Sequence, residues 1–125
     1  MSLVPINVVP ILRILDVAKT REFYLDWLGF GVEFEHRFDE NAPLYMGIAR
    51  AGIVLHLSEH HGDGIPGTHV TVNLQSGLDE LHAELIGKRY RYMRPGIETT
   101  FWGTRDMVVY DPFGNRLRFS ERLPA

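Results

Sequence analysis

Polar and apolar positions near the end of the chain alternate as they do in a β-hairpin. Two strand-like runs, residues 104–110 and 116–121, flank a turn in which Pro112 presets φ and Gly114 or Asn115 can adopt a positive φ. The second run carries apolar side chains on one face and polar side chains on the other: Leu117 and Phe119 against Arg116, Arg118 and Ser120. The pattern predicts that one face of this hairpin packs on a core.

The remaining pattern predicts one order of elements twice, a strand, a helix and three strands. The first copy has a strand at 7–15, a helix at 18–28 capped by Asp16 and ended by Gly29, and strands at 30–38, 44–49 and 53–59. The second has a strand at 68–74, a helix at 78–85 ended by Gly87, a weaker strand at 90–97 and the hairpin. Pro10 cannot donate to a ladder, so we expect the first strand at an edge.

These elements predict an α+β fold built of two βαβββ modules within a single domain, residues 1–125. Module 1 spans about residues 7–60, a glycine-rich linker about 60–67, and module 2 about 68–122. Because each helix covers one face of its sheet, the other faces are left free, and we expect them to form a half-barrel cleft.

Composition excludes several classes of protein. The chain has 125 residues, 45% of them hydrophobic, which is typical of a globular protein. It contains no apolar run of the roughly 20 residues that span a bilayer and no signal-peptide pattern, so we expect a cytoplasmic protein without membrane contact. Cysteine is absent, so disulfides and thiolate sites are excluded. A net charge of −3 with scattered cations argues against nucleic-acid binding.

Several short motifs, spread over nearly the whole chain, resemble those of the vicinal-oxygen-chelate superfamily, which includes glyoxalase I, extradiol dioxygenases, fosfomycin-resistance enzymes and bleomycin-resistance proteins. They are Ile14-Leu15-Asp16-Val17, Phe23-Tyr24, Leu28-Gly29-Phe30 and Asp111-Pro112-Phe113-Gly114-Asn115. Two others, Gly77-Leu78-Asp79-Glu80-Leu81 and Trp102-Gly103-Thr104-Arg105, are most similar to the bleomycin-resistance branch, which sequesters a drug without reacting with it. The resemblance implies a homodimer whose clefts use modules of both chains, and it leaves module swapping open.

The resemblance also implies where metal-dependent members would place four ligands. The matching positions here are Val9, His56, His69 and Arg118, of which only the two histidines are competent ligands. A fixed guanidinium repels a divalent cation and cannot neutralise itself. We therefore predict no metal and no cofactor, and keep His56 and His69 as a weak zinc pair as the alternative.

The predicted ligand-binding residues share polar or aromatic side chains on the free faces or in the loop before the hairpin: Trp102, His56, His69, Arg118, His36, Tyr45, Phe38 and Arg105. Trp102 lies in a loop, where it can stack on a planar ligand or pack on a dimer partner. Arg118 can bind an acidic ligand group or pair with a carboxylate such as Glu33, Glu59 or Glu98.

The residues and the family resemblance together suggest three alternative functions. The first is non-catalytic binding and sequestration of a small molecule, of which a bleomycin-type antibiotic is the named example. Bleomycin is cationic, whereas Arg13 and Arg116 join the histidines and Arg118 on the predicted free faces, so a small aromatic ligand is the broader prediction. The second is a metal-dependent lyase, isomerase or dioxygenase. The third is a structural or regulatory dimer with a vestigial cleft.

Overall fold

The computed structural model describes residues 2–124, so Met1 and Ala125 lie outside the described part. The fold divides into two compact units, unit 1 (Met1–Pro66) and unit 2 (Gly67–Ala125), whose boundary lies at the end of the predicted linker. Within residues 2–124 the helices are too short and too polar to cross a bilayer. The assignment of both units to a single domain stays a prediction.

Unit 1 contains a four-stranded sheet and one helical segment. Its elements are β1 (Ile11–Arg13), α1 (Val17–Thr20) continuing as a π-helical segment (Arg21–Trp27), β2 (Gly31–His36), β3 (Tyr45–Arg50) and β4 (Ile53–Ser58). The strand order is β1-β4-β3-β2, with β1 parallel to β4 and the other neighbours antiparallel.

Unit 2 repeats this topology. Its elements are β5 (His69–Leu74), α2 (Leu78–Gly87), β6 (Ile97–Thr99), β7 (Thr104–Tyr110) and β8 (Arg116–Arg122). The strand order is β5-β8-β7-β6, again with the first and last strands parallel. The predicted α+β fold of two βαβββ modules is confirmed, and so is the internal repeat.

The first helix begins and ends as the sequence predicts, but its middle is wider than an α-helix. Asp16 caps it by accepting a hydrogen bond from Lys19 N at 2.9 Å, and Gly29 follows it at φ 76°. At the end of the π-helical segment, Leu28 N donates to Phe23 O, five residues back. A 3.6-residue pattern does not distinguish this widening over so few residues.

Three predicted boundaries were wrong. The first strand covers only Ile11–Arg13 rather than residues 7–15, because Pro10 has no N–H to donate; it does lie at the sheet edge, as expected. Gly87 belongs to α2, and the residue with positive φ after that helix is Arg89 at 54°. The weak strand predicted at 90–97 is instead β6, which begins only after Pro95 and Gly96.

Each sheet buries the face that its helix covers. In unit 1 the strands present Leu12, Met46, Ile48, Leu55 and Leu57 to this core, and the helical segment contributes Phe23, Tyr24 and Trp27, as predicted. In unit 2 the core contains Leu78, Leu85, Met107, Val109, Leu117 and Phe119. Full burial of one such side chain stabilises the fold by about 1.5 to 3 kcal/mol. The alternate positions on each strand therefore form the face opposite the helix.

The turn between β7 and β8 is held by its own side chains. Asp111 accepts hydrogen bonds from Phe113 N and Asn115 N, and Gly114 adopts φ 86°. Asn115 is fully buried, and its side-chain oxygen accepts from Gly67 N at 3.2 Å and Thr68 N at 3.0 Å. The turn that the sequence predicts thus also fixes the start of β5.

Candidate functional site

The helix-distal face of unit 1 carries the aromatic and imidazole side chains of the candidate site. The register sets Gly47 of β3 opposite both Phe34 of β2 and His56 of β4, and sets Tyr45 opposite His36. These positions alternate with the buried Met46, Ile48, Leu55 and Leu57. We call this face, opposite the helix, the helix-distal face of unit 1; it is formed by Ile11, Arg13, Phe34, His36, Tyr45, Gly47 and His56.

Three of these side chains form one connected cluster. The Tyr45 hydroxyl and His56 Nδ1 are 2.7 Å apart and share a hydrogen bond. The Phe34 ring stacks on Tyr45 with centroids 6.1 Å apart and an interplanar angle of 14°, and it meets His56 edge-on at 5.2 Å. We call Phe34, Tyr45 and His56 the aromatic cluster.

The position of the Phe34 ring depends on a glycine. A Cβ atom added at Gly47 would overlap the Phe34 ring, so the ring lies over the backbone of β3 where no side chain intervenes. Phe34 itself is 41% exposed, and the irregular pairing between Val32 and Phe34 turns it onto this face. The result is an apolar surface two rings wide on an exposed sheet.

The Tyr45 phenol stays neutral over the ordinary pH range. Burial raises the pKa of Tyr45 above its usual value, and the negative charge of Asp63 adds to this effect. A neutral phenol can donate to the imidazole nitrogen of His56. The cluster therefore offers a ligand aromatic rings and polar atoms at the Tyr45 hydroxyl and the His56 imidazole.

His36 and Phe38 lie at the edge of the same face. Their rings meet edge-on with centroids 4.9 Å apart, and the Phe38 ring also meets the His60 ring edge-on with centroids 6.2 Å apart. Phe38 follows the end of β2 and is 79% exposed, so it is not the core residue that its period-two spacing would also allow. Both residues therefore remain candidate ligand contacts.

The helix-distal face of unit 2 is charged instead. On β8, Arg118 Nη1 binds Asp106 Oδ2 of β7 at 2.8 Å, and Ser120 Oγ donates to Asp106 Oδ1 at 2.6 Å. Asp106 is almost fully buried, whereas more than a third of the Arg118 side chain is exposed. The carboxylate partner of Arg118 is thus Asp106, and the expectation of Glu33, Glu59 or Glu98 was wrong.

Asp106 is ionised in this arrangement. Burial alone would raise its pKa, but hydrogen bonds from Ser120, Arg118 and Thr104 and the charge of Arg118 outweigh burial and hold the pKa of Asp106 below its usual value. Both carboxylate oxygens already accept hydrogen bonds. Asp106 therefore serves to hold Arg118 in place.

The other predicted residues of unit 2 are dispersed. His69, at the start of β5, is exposed, and its neighbour Arg116 lies over the Tyr110 ring at 5.0 Å. Trp102 is 60% exposed in the β6–β7 turn and contacts Phe101 at 4.7 Å. Arg105 lies on the helix side of β7, where it forms a bidentate pair with Asp79 of α2 at 2.8 and 3.0 Å. The structure thus separates Arg105 from Arg118.

The four positions that a metal-dependent site would use do not fit a cation. The position on β8 is a guanidinium, fixed by Asp106, that would repel a divalent cation. The position before β1 is Val9, whose side chain has no ligand atom. Among residues 2–124, His, Asp and Glu side chains do not gather in groups of three or more that could hold a metal ion.

Two residues of these faces were missed by sequence reasoning. Phe34 was left out of the predicted ligand-binding residues, because phenylalanines at a spacing of two also suit a sheet core. Asp106 was not considered as the partner of Arg118, although the turn length fixes the register and sets Asp106 opposite Ser120. Counting outward from the turn would have identified it.

Comparison with known proteins places this architecture in a family. Residues 3–125 match the family described as glyoxalase superfamily protein. A search of curated proteins gave no match. Among solved structures, the bleomycin-binding protein of Streptomyces verticillus in complex with copper(II)-bleomycin is 26% identical, with 99% of this chain and 100% of that chain covered and a TM-score of 0.68.

Two further structures share the fold at lower identity. The bleomycin resistance determinant of transposon Tn5 is 24% identical over 93% of this chain and 97% of that one, with a TM-score of 0.71. A glyoxalase/bleomycin resistance protein/dioxygenase superfamily member from Sphaerobacter thermophilus is 21% identical over 91% and 94%, with a TM-score of 0.64. Together with the family match, they confirm the superfamily expected from the sequence motifs. The chain belongs to the glyoxalase, or vicinal-oxygen-chelate, superfamily.

Proposed function

We propose that this protein binds a small molecule with a planar aromatic group on the helix-distal face of unit 1 and sequesters it without reacting with it. The observation that carries the proposal is the aromatic cluster, in which the Phe34 ring lies over Gly47 and stacks on Tyr45 beside His56. Aromatic ligands prefer offset stacking and edge-on contacts with such rings. The His56 imidazole and the Tyr45 hydroxyl supply polar contacts beside them.

A bleomycin-type antibiotic is the specific ligand that this proposal names first. One structural relative, 26% identical, is a bleomycin-binding protein, and another is a bleomycin resistance determinant. Arg13 lies on the same face as the aromatic cluster and would oppose a cationic drug, so the planar aromatic group is the feature on which the proposal depends.

Sequestration needs no catalytic group. A binder present above its Kd lowers the free concentration of a ligand by mass action alone. The same equilibrium stabilises the native state by RT ln(1 + [L]/Kd), so a ligand raises the thermal midpoint in proportion to the logarithm of its concentration.

The decisive experiment is calorimetric titration of the purified protein with copper-free bleomycin and with a set of planar aromatic antibiotics. We expect saturable binding of at least one compound, weakened about tenfold or more by Phe34→Ala, which removes a stacking surface. His56→Ala should weaken it by a smaller factor. His61→Ala is the matched control, because His61 is an exposed histidine of the linker, outside the aromatic cluster.

Three results would overturn the proposal. Absence of heat and of thermal stabilisation with every compound would contradict ligand binding. Equal affinity in the wild type and Phe34→Ala would move the ligand elsewhere. Stoichiometric binding of a divalent metal that His56→Ala abolishes, with turnover of a substrate, would favour the metal-dependent enzyme instead. The cytoplasmic location expected from the sequence stays a prediction.

We also propose that the protein is a homodimer. Support comes from the segment before β1, where four apolar side chains are 87% to 97% exposed: Leu3, Val4, Ile6 and Val8. Exposed contiguous apolar surface of this kind is typical of a protein interface. Light scattering should give the mass of two chains, and Ile6→Asp with Val8→Asp should shift it toward one. Glu40→Lys, an exposed change elsewhere, serves as the control, and a monomeric wild type contradicts the proposal.

A further inference from the structure

A cationic and aromatic segment follows helix α2, on the opposite side of the unit 2 sheet from Arg118. Residues 88–94 read Lys-Arg-Tyr-Arg-Tyr-Met-Arg, which sets four cations and two tyrosines in seven residues of a chain with a net charge of −3. The helix side of the sheet is identified by two contacts of α2, that of Leu78 N with Glu121 and that of Asp79 with Arg105. Within unit 2 this segment is separate from the helix-distal face that carries Arg118.

The segment borders an open pocket of about 630 Å³. Its lining combines the last turn of α2 with the residues that follow: Leu85, Ile86, Gly87, Arg89, Tyr90, Arg91, Met93 and Arg94. The volume lies within the range of roughly 300 to 1,000 Å³ of small-molecule sites. Three arginines and no carboxylate line it, so the pocket selects for negative charge.

The arginines of the pocket are not neutralised by the protein. Lys88 pairs with Glu84 at 3.4 Å, which leaves Arg89, Arg91 and Arg94 without a carboxylate partner within residues 2–124. Three guanidinium groups on one short segment repel one another unless an anion is bound. A guanidinium presents paired N–H donors that match phosphate or carboxylate oxygens.

One aromatic residue, Tyr90, lines the pocket and gives it a surface for a ring. Arg91 lies over the Tyr92 ring at 5.1 Å, and Tyr92 meets Tyr90 edge-on at 5.5 Å. Stacking on Tyr92 orders the Arg91 guanidinium while its N–H groups remain available at the edge. Met93 and Leu85 add apolar lining. A ligand that carries both a planar ring and a negative group uses both sets of residues.

The segment is held in shape at both ends. Arg89 N donates to Ile86 O at the end of α2, and His82 of α2 is bonded through Nε2 to Pro95 O at 2.9 Å. Arg89 adopts φ 54°, a left-handed conformation that costs energy for any residue with a side chain. Glycine would adopt this conformation at lower cost, so a substitution at residue 89 can remove the guanidinium without straining the backbone.

We propose that this pocket binds a planar aromatic anion, a ring that carries a phosphate or carboxylate group, as a second site independent of the aromatic cluster. The proposal rests on three arginines without a carboxylate partner within residues 2–124 and on the Tyr90 ring, which line one open pocket. AMP is the probe, because it joins a planar base to a phosphate. Adenosine tests the ring alone and inorganic phosphate tests the charge alone.

Calorimetric titration of the full chain with AMP should show one site per chain at low ionic strength. We expect adenosine and phosphate each to bind at least tenfold more weakly than AMP, and the AMP affinity to fall when salt is raised, because partly exposed charge pairs are screened. Phe34→Ala should leave AMP binding unchanged, which separates this site from the one on unit 1.

Arg89→Gly separates binding from folding. Glycine tolerates the left-handed φ of residue 89, so the thermal midpoint should be maintained or raised while AMP affinity falls about tenfold. Arg91→Ala should act similarly on affinity. Arg122→Ala, which removes an exposed arginine at the end of β8, is the matched control and should change neither quantity.

Three outcomes would overturn the proposal. They are an absence of AMP binding by the folded wild type, AMP affinity that Arg89→Gly and Arg91→Ala leave unchanged, and equal affinity for AMP and inorganic phosphate, which would mean a simple anion site. A single-stranded oligothymidylate that binds more tightly than AMP and covers several nucleotides would replace the pocket with a nucleic-acid surface.

Discussion

The two units share one topology but present opposite chemistry on equivalent faces. In unit 1 the cross-strand partner of His56 is Gly47, and the aromatic ring of Phe34 lies in the space that the glycine leaves. In unit 2 the partner of Arg118 is Val108, and the polar contacts of that face join Arg118, Asp106 and Ser120. Aromatic stacking dominates the first face, and an ion pair dominates the second.

The difference shows what is determined by alternation along a strand and what is determined by the residue on the neighbouring strand. Alternation along the strands determines which residues lie opposite the helix, and it does so equally in both units. The residue directly across from the central polar side chain then decides what that face can do. A glycine admits a ring, whereas a β-branched residue fills the space and leaves charged neighbours to pair with one another.

The largest effect should come from breaking the ion pair of unit 2. Asp106→Ala removes an almost fully buried carboxylate that accepts hydrogen bonds from Arg118 and Ser120, and should lower the free energy of unfolding by about 2 to 3 kcal/mol. Because the folded pKa of Asp106 is depressed, its contribution is fully present above the unfolded pKa, about 4, and is lost as pH falls through the folded pKa.

Urea denaturation at several pH values tests this. The wild type should lose stability below about pH 4, and Asp106→Ala should lose less over the same interval. Glu98→Ala is the control, because Glu98 lies opposite Asp106 on β6 with an exposed side chain. Equal losses in Asp106→Ala and Glu98→Ala would mean that the pair contributes nothing to stability.

The second-largest effect should come from replacing Gly47, the residue across from His56, by the type of residue found across from Arg118 in unit 2. Gly47→Val gives unit 1 the side chain that Val108 supplies in unit 2 and should displace the Phe34 ring. Since Phe34 is partly exposed and can turn outward, we expect a loss of only about 1 to 2 kcal/mol in the free energy of unfolding. The affinity for an aromatic ligand should fall about tenfold or more.

Gly31→Ala is the matched control for this exchange. A Cβ atom at Gly31 would meet nothing closer than Ala49 O at 3.9 Å, an ordinary contact. Chemical denaturation and calorimetry on both variants separate the two effects. If Gly47→Val binds aromatic ligands as tightly as Gly31→Ala does, the position of the Phe34 ring is irrelevant to binding.

A smaller effect should follow from removing one hydroxyl of the aromatic cluster. Tyr45→Phe keeps the ring stacked on Phe34 and loses the bond to His56, at a cost of about 0.5 to 1.5 kcal/mol. Because the pKa of Tyr45 is raised in the folded state, its contribution is present below the unfolded pKa, about 10, and is lost as pH rises through the folded pKa.

Denaturation measured from pH 8 to about pH 11 checks the sign. The wild type should lose more stability than Tyr45→Phe across this interval. Tyr92→Phe, a change at an exposed tyrosine of unit 2, controls for general alkaline effects. A steeper loss in Tyr45→Phe than in the wild type would contradict the raised pKa.

The smallest effect concerns Arg105, which the sequence motif grouped with the ligand-binding residues. Its guanidinium pairs with Asp79 at the surface on the helix side of β7, so Arg105→Gln should leave the affinity for an aromatic ligand unchanged. Titration of this variant beside Trp102→Ala tests the two residues of the motif separately. A large loss in Arg105→Gln would return Arg105 to the ligand site.

Much of the fold was predictable because it depends on local rules. The cap at Asp16, the positive φ at Gly29 and the turn at residues 111–115 each follow from side-chain chemistry within a few residues. The alternation in β8 correctly separated the buried Leu117 and Phe119 from Arg118. Strand β6 was misplaced, since its three residues carry too little pattern to compete with Pro95 and Gly96.

The pairings within the candidate site were less predictable because they depend on register. The bond between Tyr45 and His56, the seat of Phe34 over Gly47 and the choice of Asp106 as partner for Arg118 each join residues on different strands. An irregularity between Val32 and Phe34 shifts the pairing of β2, and composition alone does not locate it. Residue type predicted the chemistry of each face, and register determined its contacts.

The parallel pairing of first and last strands has a consequence for synthesis of the chain. β1 gains its neighbour only when β4 has left the ribosome, and β5 must wait for β8. Unit 1 can therefore complete its sheet while unit 2 is still being translated. In unit 2, the Asn115 side chain accepts a hydrogen bond from Gly67 N, 48 residues earlier in the chain. The turn at residues 111–115, which is synthesised late, therefore holds the start of β5, the first strand of this unit.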